Sequence, residues 1–143
     1  MSVDIQQNQD GSMRLVGADG TTLSGFQLTA NPYMATSVDM TIFTATRACV
    51  VTGITGRVDT AGTDASAVTA QVRKVPSGTA LTGGTVLHSG TYNLKGTANT
   101  NQSLTLSTTD GALRLAAGDS IAIDFTGVLT AATGCISVTM APL

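Results

Sequence analysis

Few side chains in this sequence are suited to acid–base chemistry, and Asp124 is the first to consider. It lies in the stretch SIAIDFTG, residues 120–127, where it alternates with three large apolar residues. A general acid needs a second group and a pocket that shifts its pKa, and the local sequence supplies neither. The alternation instead predicts an outward-facing carboxylate on a strand, where Arg57 or Arg73 from a neighbouring strand could pair with it.

His88 is the only histidine in the chain. A nucleophilic triad would need it beside a serine or cysteine and an orienting carboxylate, and the sequence contains no GxSxG nucleophile elbow. We therefore expect a structural histidine in or beside a strand, and we predict no catalytic residues and no enzyme. A small hydrolase remains an alternative, which the loss of an activity in Asp124→Asn or His88→Ala would support.

The sequence also contains few residues that could bind a metal or a cofactor. In DTAGTD, residues 59–64, Asp59 and Asp64 could wrap a hard cation, but their spacing differs from that of a calcium loop, and turn chemistry explains both. Cys49 and Cys135 have no CxxC spacing, and with a single histidine they do not form a zinc site. We predict no metal and no cofactor. Calcium at the two aspartates stays open, and the cysteines are expected to be buried free thiols unless neighbouring strands pair them.

Net charge and hydropathy narrow the range of partners. Nine acidic residues, all aspartate, stand against seven scattered basic ones, which gives a net charge of −2. Phosphate binding needs a concentrated Lys/Arg surface, so no nucleic acid is expected as a partner. No stretch approaches the ~20 apolar residues of a membrane span, and the first residues lack the pattern of a signal peptide. We expect a protein made in the cytoplasm with reduced thiols and no membrane partner.

The polar residues of this chain are mostly uncharged. Charged residues make up 11% of the sequence, against roughly a quarter in typical soluble domains. Polarity comes instead from 25 threonines and 11 serines, and threonine suits the solvent face of a strand. Such a surface costs little to desolvate, which suits a subunit packed against others, although many free β-sandwiches are also rich in threonine.

Eight segments show strand patterning, with turn signals every 8–12 residues. They are residues 38–45, 49–58, 67–75, 85–94, 103–107, 112–115, 120–125 and 134–141. This spacing predicts an all-β fold, a single jelly-roll-like antiparallel β-sandwich of about eight strands over residues 36–143. Its predicted core consists of Val50, Ile54, Val58, Val68, Val72, Leu104, Leu106, Leu113, Leu115, Ile121, Ile123, Phe125, Ile136, Val138 and Met140.

The first 35 residues differ from the rest of the chain. Asp-Gly pairs at 10–11 and 19–20 flank a short strand at 12–16, a pattern that predicts a small hairpin or meander. This stretch contains too little apolar material to fold alone. We therefore predict an extended N-terminal arm over residues 1–35 that lies on the main domain or on a neighbouring subunit. Its expected apolar contact residues are Leu15, Val16, Leu23, Phe26 and Tyr33.

Three long stretches, RVDTAGTDASAVTAQVRKV, LKGTANTNQSLTL and RLAAGDSIAIDFTGVLTAATGCISVTM, carry a family resemblance. Over about residues 48–141 the chain resembles small virion proteins of tailed bacteriophages, the head decoration or cement subunits. The matching features belong to a scaffold rather than to a reactive motif. The resemblance implies a β-sandwich that trimerises on the outer capsid surface and clamps junctions between capsomers, with an N-terminal arm contacting the capsid. The implied partners are the major capsid protein and copies of the chain itself.

The function predicted from these features is that of a structural virion protein, a capsid decoration or cement subunit assembled in the host cytoplasm. Loops 76–84 and 95–102 would point outward. The alternative is a head-fibre or spike base, or an adhesive β-sandwich that binds a glycan or receptor. Sugar binding normally uses exposed aromatic rings, and the candidates are Tyr33, Phe43 and Tyr92.

Overall fold

The computed structural model of the chain describes residues 3–7, 13–17, 26–29, 33, 34, 36 and 38–143, the first three of these stretches as backbone only. Three antiparallel sheets are present in this part of the chain. The smallest is a hairpin of two strands, and the other two, of five strands each, form a sandwich. In chain order the strands are β1 Val3–Gln7, β2 Met13–Gly17, β3 Phe26–Thr29, β4 Met40–Thr44, β5 Cys49–Thr60, β6 Thr69–Val75, β7 Thr85–Val86, β8 Tyr92–Asn93, β9 Thr100–Ser103, β10 Arg114–Leu115, β11 Ser120–Thr126 and β12 Thr133–Pro142.

The sandwich follows a jelly-roll path. The first sheet has the order β3, β12, β5, and then β9 and β10, which share the far edge of β5. The second sheet has the order β4, β11, β6, and then β7 and β8, which share the far edge of β6. Along the chain, successive strand positions alternate between the two sheets, except that β6 is followed by β7 and β8 in its own sheet. Because β7 with β8 and β9 with β10 each fill one position, the predicted sandwich of about eight strands is confirmed.

One side of the sandwich is closed by backbone hydrogen bonds, and we call it the closed side. There, segment 87–89 bonds to β6 and to segment 104–107, which in turn bonds to Ile54 of β5. The opposite side, which we call the open side, has β3 and β4 as the edge strands of their sheets. The two sheets are therefore joined by main-chain hydrogen bonds at the closed side, whereas each ends in an edge strand at the other.

The core lies between the two large sheets and contains most of the side chains that alternation predicted. Ile54, Val58, Ile121 and Ile123 are at most 1% exposed. Leu104, Leu106, Leu113 and Phe125 are only partly buried, and they pack against this cluster. Further buried side chains were not predicted by alternation, namely Leu87, Leu94 and Leu129 in loops and Tyr92 in the short strand β8.

The prediction for Val50 is wrong, because β5 contains a β-bulge. Val51 pairs with Met140 and Gly53 with Thr139, so that Thr52 is the extra residue on β5. A bulge shifts the alternation of side chains by one position. Val50 is consequently half-buried while Val51 is buried.

Strand boundaries also differ on the closed side. The predicted strand 85–94 is broken into β7 and β8 by a bend at Gly90, whose φ of 69° lies in the left-handed region. Of the predicted strand 103–107, Ser103 is the last residue of β9, and Leu106 forms an isolated bridge with His88. Regular pairing instead begins at Thr100, inside the segment expected to be a loop. Broken edge strands of this kind have too few residues for alternation to identify them.

The predicted small hairpin is present as β1 and β2, which pair from Val3 opposite Gly17 to Gln7 opposite Met13. The sandwich nevertheless begins earlier in the sequence than residue 36. Strand β3 pairs with β12, and Tyr33 forms an isolated bridge with Gly134. Part of the segment assigned to an arm therefore belongs to the first sheet.

Candidate functional site

Asp124 is the partner of an arginine on the neighbouring strand. Its Oδ2 accepts a hydrogen bond of 2.7 Å from Nε of Arg73, and the side chains are 14% and 17% exposed respectively. The other guanidinium nitrogens of Arg73 donate to the carbonyl of Gly84 at 2.9 Å and to Oε1 of Gln71 at 2.6 Å. The predicted strand carboxylate paired with an arginine is thus confirmed, and its partner is Arg73 rather than Arg57.

This ion pair anchors the loop of residues 76–84 over the outer face of the second sheet. A short 3-10 helix, Leu81–Gly83, lies against β6 and β11. Ala122 points outward from β11 between Ser120 and Asp124, and yet it is completely buried. At Gly84 an added Cβ would lie 2.7 Å from the carbonyl oxygen of Lys74, so this end of the loop sits directly on β6. The start of the loop is exposed.

His88 replaces a missing strand carbonyl in the backbone ladder of β6. Strand β7 ends at Val86, and Nε2 of His88 accepts a hydrogen bond of 3.0 Å from the amide of Val72. Nδ1 lies 3.3 Å from the carbonyl of Ser89, which fits a proton on Nδ1. The residue is 5% exposed, and this burial lowers its pKa. His88 is therefore a neutral structural histidine beside a strand.

Asp59 and Asp64 have separate structural partners. Asp59 pairs with Arg57 at 2.7 Å, and Oδ2 of Asp64 accepts a hydrogen bond from the amide of Ser66. Nζ of Lys95 donates to the carbonyls of Asp64 and Ser66 at 2.7 and 3.2 Å, so an ammonium group occupies the oxygens that a cation would need. No cluster of three or more His, Cys, Asp or Glu side chains is placed for a metal among the described residues.

Cys49 and Cys135 are free thiols on neighbouring strands that do not bring them together. Cys49 on β5 pairs with Pro142, whereas Cys135 on β12 pairs with Arg57. Seven residues of β12 separate these positions, about 23 Å at the rise of a strand, so no disulfide is possible. Burial raises the pKa of the Cys49 thiol. Cys135 faces outward and is half-exposed.

The shallow cavities of the described surface include two that adjoin residues already discussed. A groove of about 310 Å³ crosses the outer face of the first sheet, where hydroxyl and amide side chains surround Arg57 and Cys135. A second cavity of about 260 Å³ lies beside Phe43 and Arg47. Neither is lined by a carboxylate or an imidazole. Neither cavity therefore offers the acid–base pair that hydrolysis needs.

The tyrosines proposed for sugar binding are core residues. Tyr33 and Tyr92 are 2% and 0% exposed, and their rings meet edge to face at 6.3 Å between centroids. Tyr33 also lies 6.2 Å from the ring of Phe125. Gly56 makes room for this cluster, because a Cβ there would lie 2.6 Å from the ring of Tyr92. Phe43 is half-buried, so neither tyrosine offers a stacking platform for a sugar and Phe43 offers only part of its ring.

The five apolar residues expected to contact a partner fall in different parts of the chain. Tyr33 is buried in the core of its own chain, where it anchors the segment before β4 and is not available to a partner. Leu15 and Val16 lie in β2, and Phe26 lies in β3 opposite Met140. Leu23 lies outside the described residues. For these four residues a contact role stays a prediction.

Comparison with known proteins shows the fold. No family model and no curated protein matches this chain. A chain of the capsid asymmetric unit of cyanophage Pam1 is 17% identical, with a TM-score of 0.52, over 90% of this chain and 93% of that one. A chain of infectious bursal disease virus, Gx strain, is 15% identical with a TM-score of 0.38, and the match spans about a third of its length. Among the described residues, no helix has the length and apolarity needed to cross a membrane.

Proposed function

We propose that this chain is a structural subunit of a virus particle. The observation that carries the proposal is the mutual coverage with the cyanophage capsid chain, because the match spans 90% of this chain and 93% of that one with a TM-score of 0.52. The two chains are thus alike in size as well as in fold. Jelly rolls of this kind recur in viral capsid proteins.

The chemistry of the described residues supports a structural role over an enzymatic one. Asp124 anchors a loop through Arg73, and His88 completes a backbone ladder. Asp59 and Asp64 each have a local partner, and Lys95 holds the loop that contains Asp64. Each of these candidates for catalysis or metal binding therefore already serves the fold.

In more detail, the chain is a decoration or cement subunit on the outer capsid surface, with the major capsid protein and copies of itself as partners. The low charge and high threonine content support this role, because such a surface loses little hydration when it is covered. The oligomer is a trimer that stabilises junctions between capsomers. The N-terminal arm, with Leu15, Val16 and Leu23, contacts the capsid or an adjacent subunit, as does Phe26 on the edge strand β3. Loops 76–84 and 95–102 face outward.

The test is to mix the purified chain with undecorated capsids and examine the particles by cryo-electron microscopy. We expect a species of 43 kDa by light scattering, three times the chain mass of 14.4 kDa, and density at the three-fold positions of the capsid. A protein that stays at 14.4 kDa and leaves the capsids bare would overturn the proposal.

A truncation tests the arm within the same experiment. Deletion of residues 2–17 removes β1 and β2 and leaves β3 in the first sheet. We expect this variant to keep the sandwich, seen as an unchanged far-ultraviolet spectrum, and to lose attachment to capsids. Attachment at the level of the full chain would show that the hairpin has no part in the contact.

A further inference from the structure

Six polar side chains form two rows on the outer face of the first sheet, and we call them the outer grid. Three neighbouring strands supply them, because β12 pairs with β5 and β5 pairs with β9. Such a grid is about 10 Å wide across three strands and about 7 Å long between residues two apart in one strand. One row contains a thiol, a guanidinium and an amide, and the other contains three hydroxyls. The rows are Cys135, Arg57 and Asn101, and then Ser137, Thr55 and Ser103.

The outer grid lines the groove of about 310 Å³ on this face. Small-molecule sites have volumes of roughly 300–1,000 Å³, so the groove is large enough for a small ligand. Thr55, Asn101 and Ser103 are exposed to solvent. The described residues that line the groove include no large apolar side chain. The groove therefore suits a polar ligand that forms hydrogen bonds.

Ser137 is the most buried member of the outer grid. It is 9% exposed, although it lies on the outer face of β12. Its hydroxyl forms no hydrogen bond with any group in the described part of the chain. Hydroxyls as buried as this one are generally hydrogen-bonded. Because Ser137 lines the groove, a polar molecule bound there would supply the missing partner.

Arg57 gives the groove a cation with unused hydrogen-bond donors. Its Nε donates to Oδ1 of Asp59 at 2.7 Å, and its Nη1 and Nη2 donate to the carbonyl and to Oδ1 of Asn99 at 3.1 and 3.4 Å. A guanidinium has five N–H groups, so two of them stay available. The side chain is 43% exposed. Arginine donors bind carboxylates through short, charge-assisted hydrogen bonds, so a carboxylate is the charged group that fits this groove.

Cys135 adds a group that can form a covalent bond. It is a free thiol, it is half-exposed, and it lies directly opposite Arg57 in the register of β12 with β5. Reactive thiols occupy partly exposed, positively charged surroundings, whereas buried thiols are inert. Cys49, the other cysteine of the chain, is 1% exposed and belongs to the core. The chain thus has one accessible thiol beside a cation and one buried thiol that serves as an internal reference.

We propose that the outer grid is a site of reversible S-thiolation that takes a small disulfide carrying carboxylates. Arg57 binds a carboxylate of this ligand, and the hydroxyl of Ser137 hydrogen-bonds to its polar part. The thiolate of Cys135 attacks one sulfur of the disulfide, so that one S–S bond forms as the other breaks. The departing half leaves as a thiolate and takes up a proton from water, which replaces the proton that the Cys135 thiol gave to water. Cys135 is oxidised and the departing half is reduced.

The full-length native chain is treated with glutathione disulfide, whose halves carry carboxylates, and separately with cystamine, whose halves carry ammonium groups. Each rate is divided by that of the same reagent with Cys135 in the urea-unfolded chain. We expect one adduct per chain by mass spectrometry, on Cys135 by peptide mapping, and a preference of about 10-fold for glutathione disulfide, in the range of electrostatic steering. Absence of an adduct, reaction at Cys49 instead, or equal rates for the two disulfides would overturn the proposal.

Arg57→Gln tests the cation, and Arg114→Gln is its matched control. Arg114 is an exposed arginine of β10 in the same sheet, opposite Val50, which lies seven residues along β5 from Arg57, about 23 Å. Both substitutions remove the same charge. We expect Arg57→Gln to lower the preference for glutathione disulfide over cystamine about 5-fold or more, and Arg114→Gln to keep it. The same preference in all three chains would overturn binding of the carboxylate by Arg57.

Ser137→Ala tests the buried hydroxyl. We expect the reaction with glutathione disulfide to slow about 5-fold, as for the loss of one hydrogen bond, with an unchanged far-ultraviolet spectrum. A wild-type rate would remove Ser137 from the site and overturn the proposed binding mode. The site goes beyond the role in a virus particle and does not depend on it. Because none of these reactions contains capsids, failure of capsid binding would leave the site standing, and absence of the adduct would leave the structural role standing.

Discussion

The two described ion pairs, Arg73 with Asp124 and Arg57 with Asp59, have the same chemistry in different surroundings. In both, arginine Nε donates to an aspartate oxygen at 2.7 Å, and each arginine also hydrogen-bonds to a loop. The side chains of the first pair are 17% and 14% exposed, and those of the second are 43% and 51% exposed. The distance alone therefore does not reveal what each pair contributes.

The difference arises from what lies over each arginine. Loop 76–84 returns across the second sheet and covers Arg73, whereas Arg57 borders the open groove of the first sheet. The attraction between two charges grows as water is excluded, but removal of one partner then leaves the other charge poorly hydrated. We infer that Arg73 and Asp124 hold the fold together and that Arg57 remains available to solvent or to a partner.

The largest effect is expected for Asp124→Ala, which removes the carboxylate and leaves the guanidinium of Arg73 only the carbonyl of Gly84 and Oε1 of Gln71 as partners. We expect a loss of about 2–3 kcal/mol in the free energy of unfolding, in the range for breaking a poorly hydrated pair. Urea denaturation measures the loss, and hydrogen exchange should show loosening of loop 76–84. A loss below ~0.5 kcal/mol would mean that the loop does not depend on the pair.

A glycine substitution in loop 76–84 tests how closely this loop packs on β6. Gly84→Ala would place a Cβ 2.7 Å from the carbonyl oxygen of Lys74 and 2.8 Å from Cγ2 of Val75. Relief of this overlap moves the loop away from β6. We expect the free energy of unfolding to decrease by about 2 kcal/mol, as at other overpacked sites. Gly83→Ala is the control, since its nearest neighbour is a side-chain methyl at 3.4 Å, and it should unfold close to the wild type. Equal free energies of unfolding for the two variants would contradict the close contact between Gly84 and β6.

His88 tests the stability of the closed side of the sandwich through its dependence on pH. Burial holds its folded pKa below the value of about 6.5 in the unfolded chain, so the unfolded chain binds the proton first as pH falls. The free energy of unfolding should decrease by up to about 1 kcal/mol between pH 7 and 5.5 and be level above pH 7.5.

His88→Leu separates this effect from other titrations. At pH 7.5 the variant should be less stable by about 1 kcal/mol, because the buried amide of Val72 loses its acceptor. The gap to the wild type should narrow towards pH 5.5, since only the wild type has the histidine to protonate. Parallel pH profiles for the two proteins would show that His88 is not the titrating group.

Sequence patterns identified the sandwich because long strands buried on one face alternate strictly, as Val138 and Met140 do around Thr139. They placed Asp124 correctly for the same reason. They failed at Val50, where one extra residue in β5 reverses the alternation, and at β7 to β9, which are too short to show a period. Local sequence carries little information on such register shifts, because the partner strand decides them.

The separate roles of the two ion pairs could not be predicted from the sequence. Arg57 and Arg73 both stand on strands with an aspartate within reach, so either was a candidate partner for Asp124. Which arginine is covered depends on the return of loop 76–84, a contact between residues distant in sequence. Tyr33 illustrates the same limit. As one of the apolar residues of the predicted N-terminal arm it was expected to contact a partner, but the room left by Gly56 and Gly134 admits the tyrosine pair to the core.

The smallest effect is expected for Asp59→Ala, at the exposed pair. An ion pair in water contributes about 0–0.5 kcal/mol once side-chain entropy and screening are included, and Arg57 keeps its hydrogen bonds to Asn99. The free energy of unfolding should therefore stay within ~0.5 kcal/mol of the wild type, and 0.5 M salt should remove the remainder. A loss as large as that of Asp124→Ala would mean that the first sheet is as dependent on its arginine as the second. In that case Arg57 would have to be assigned to the fold, and the open groove would lose its one cation as a group available to partners.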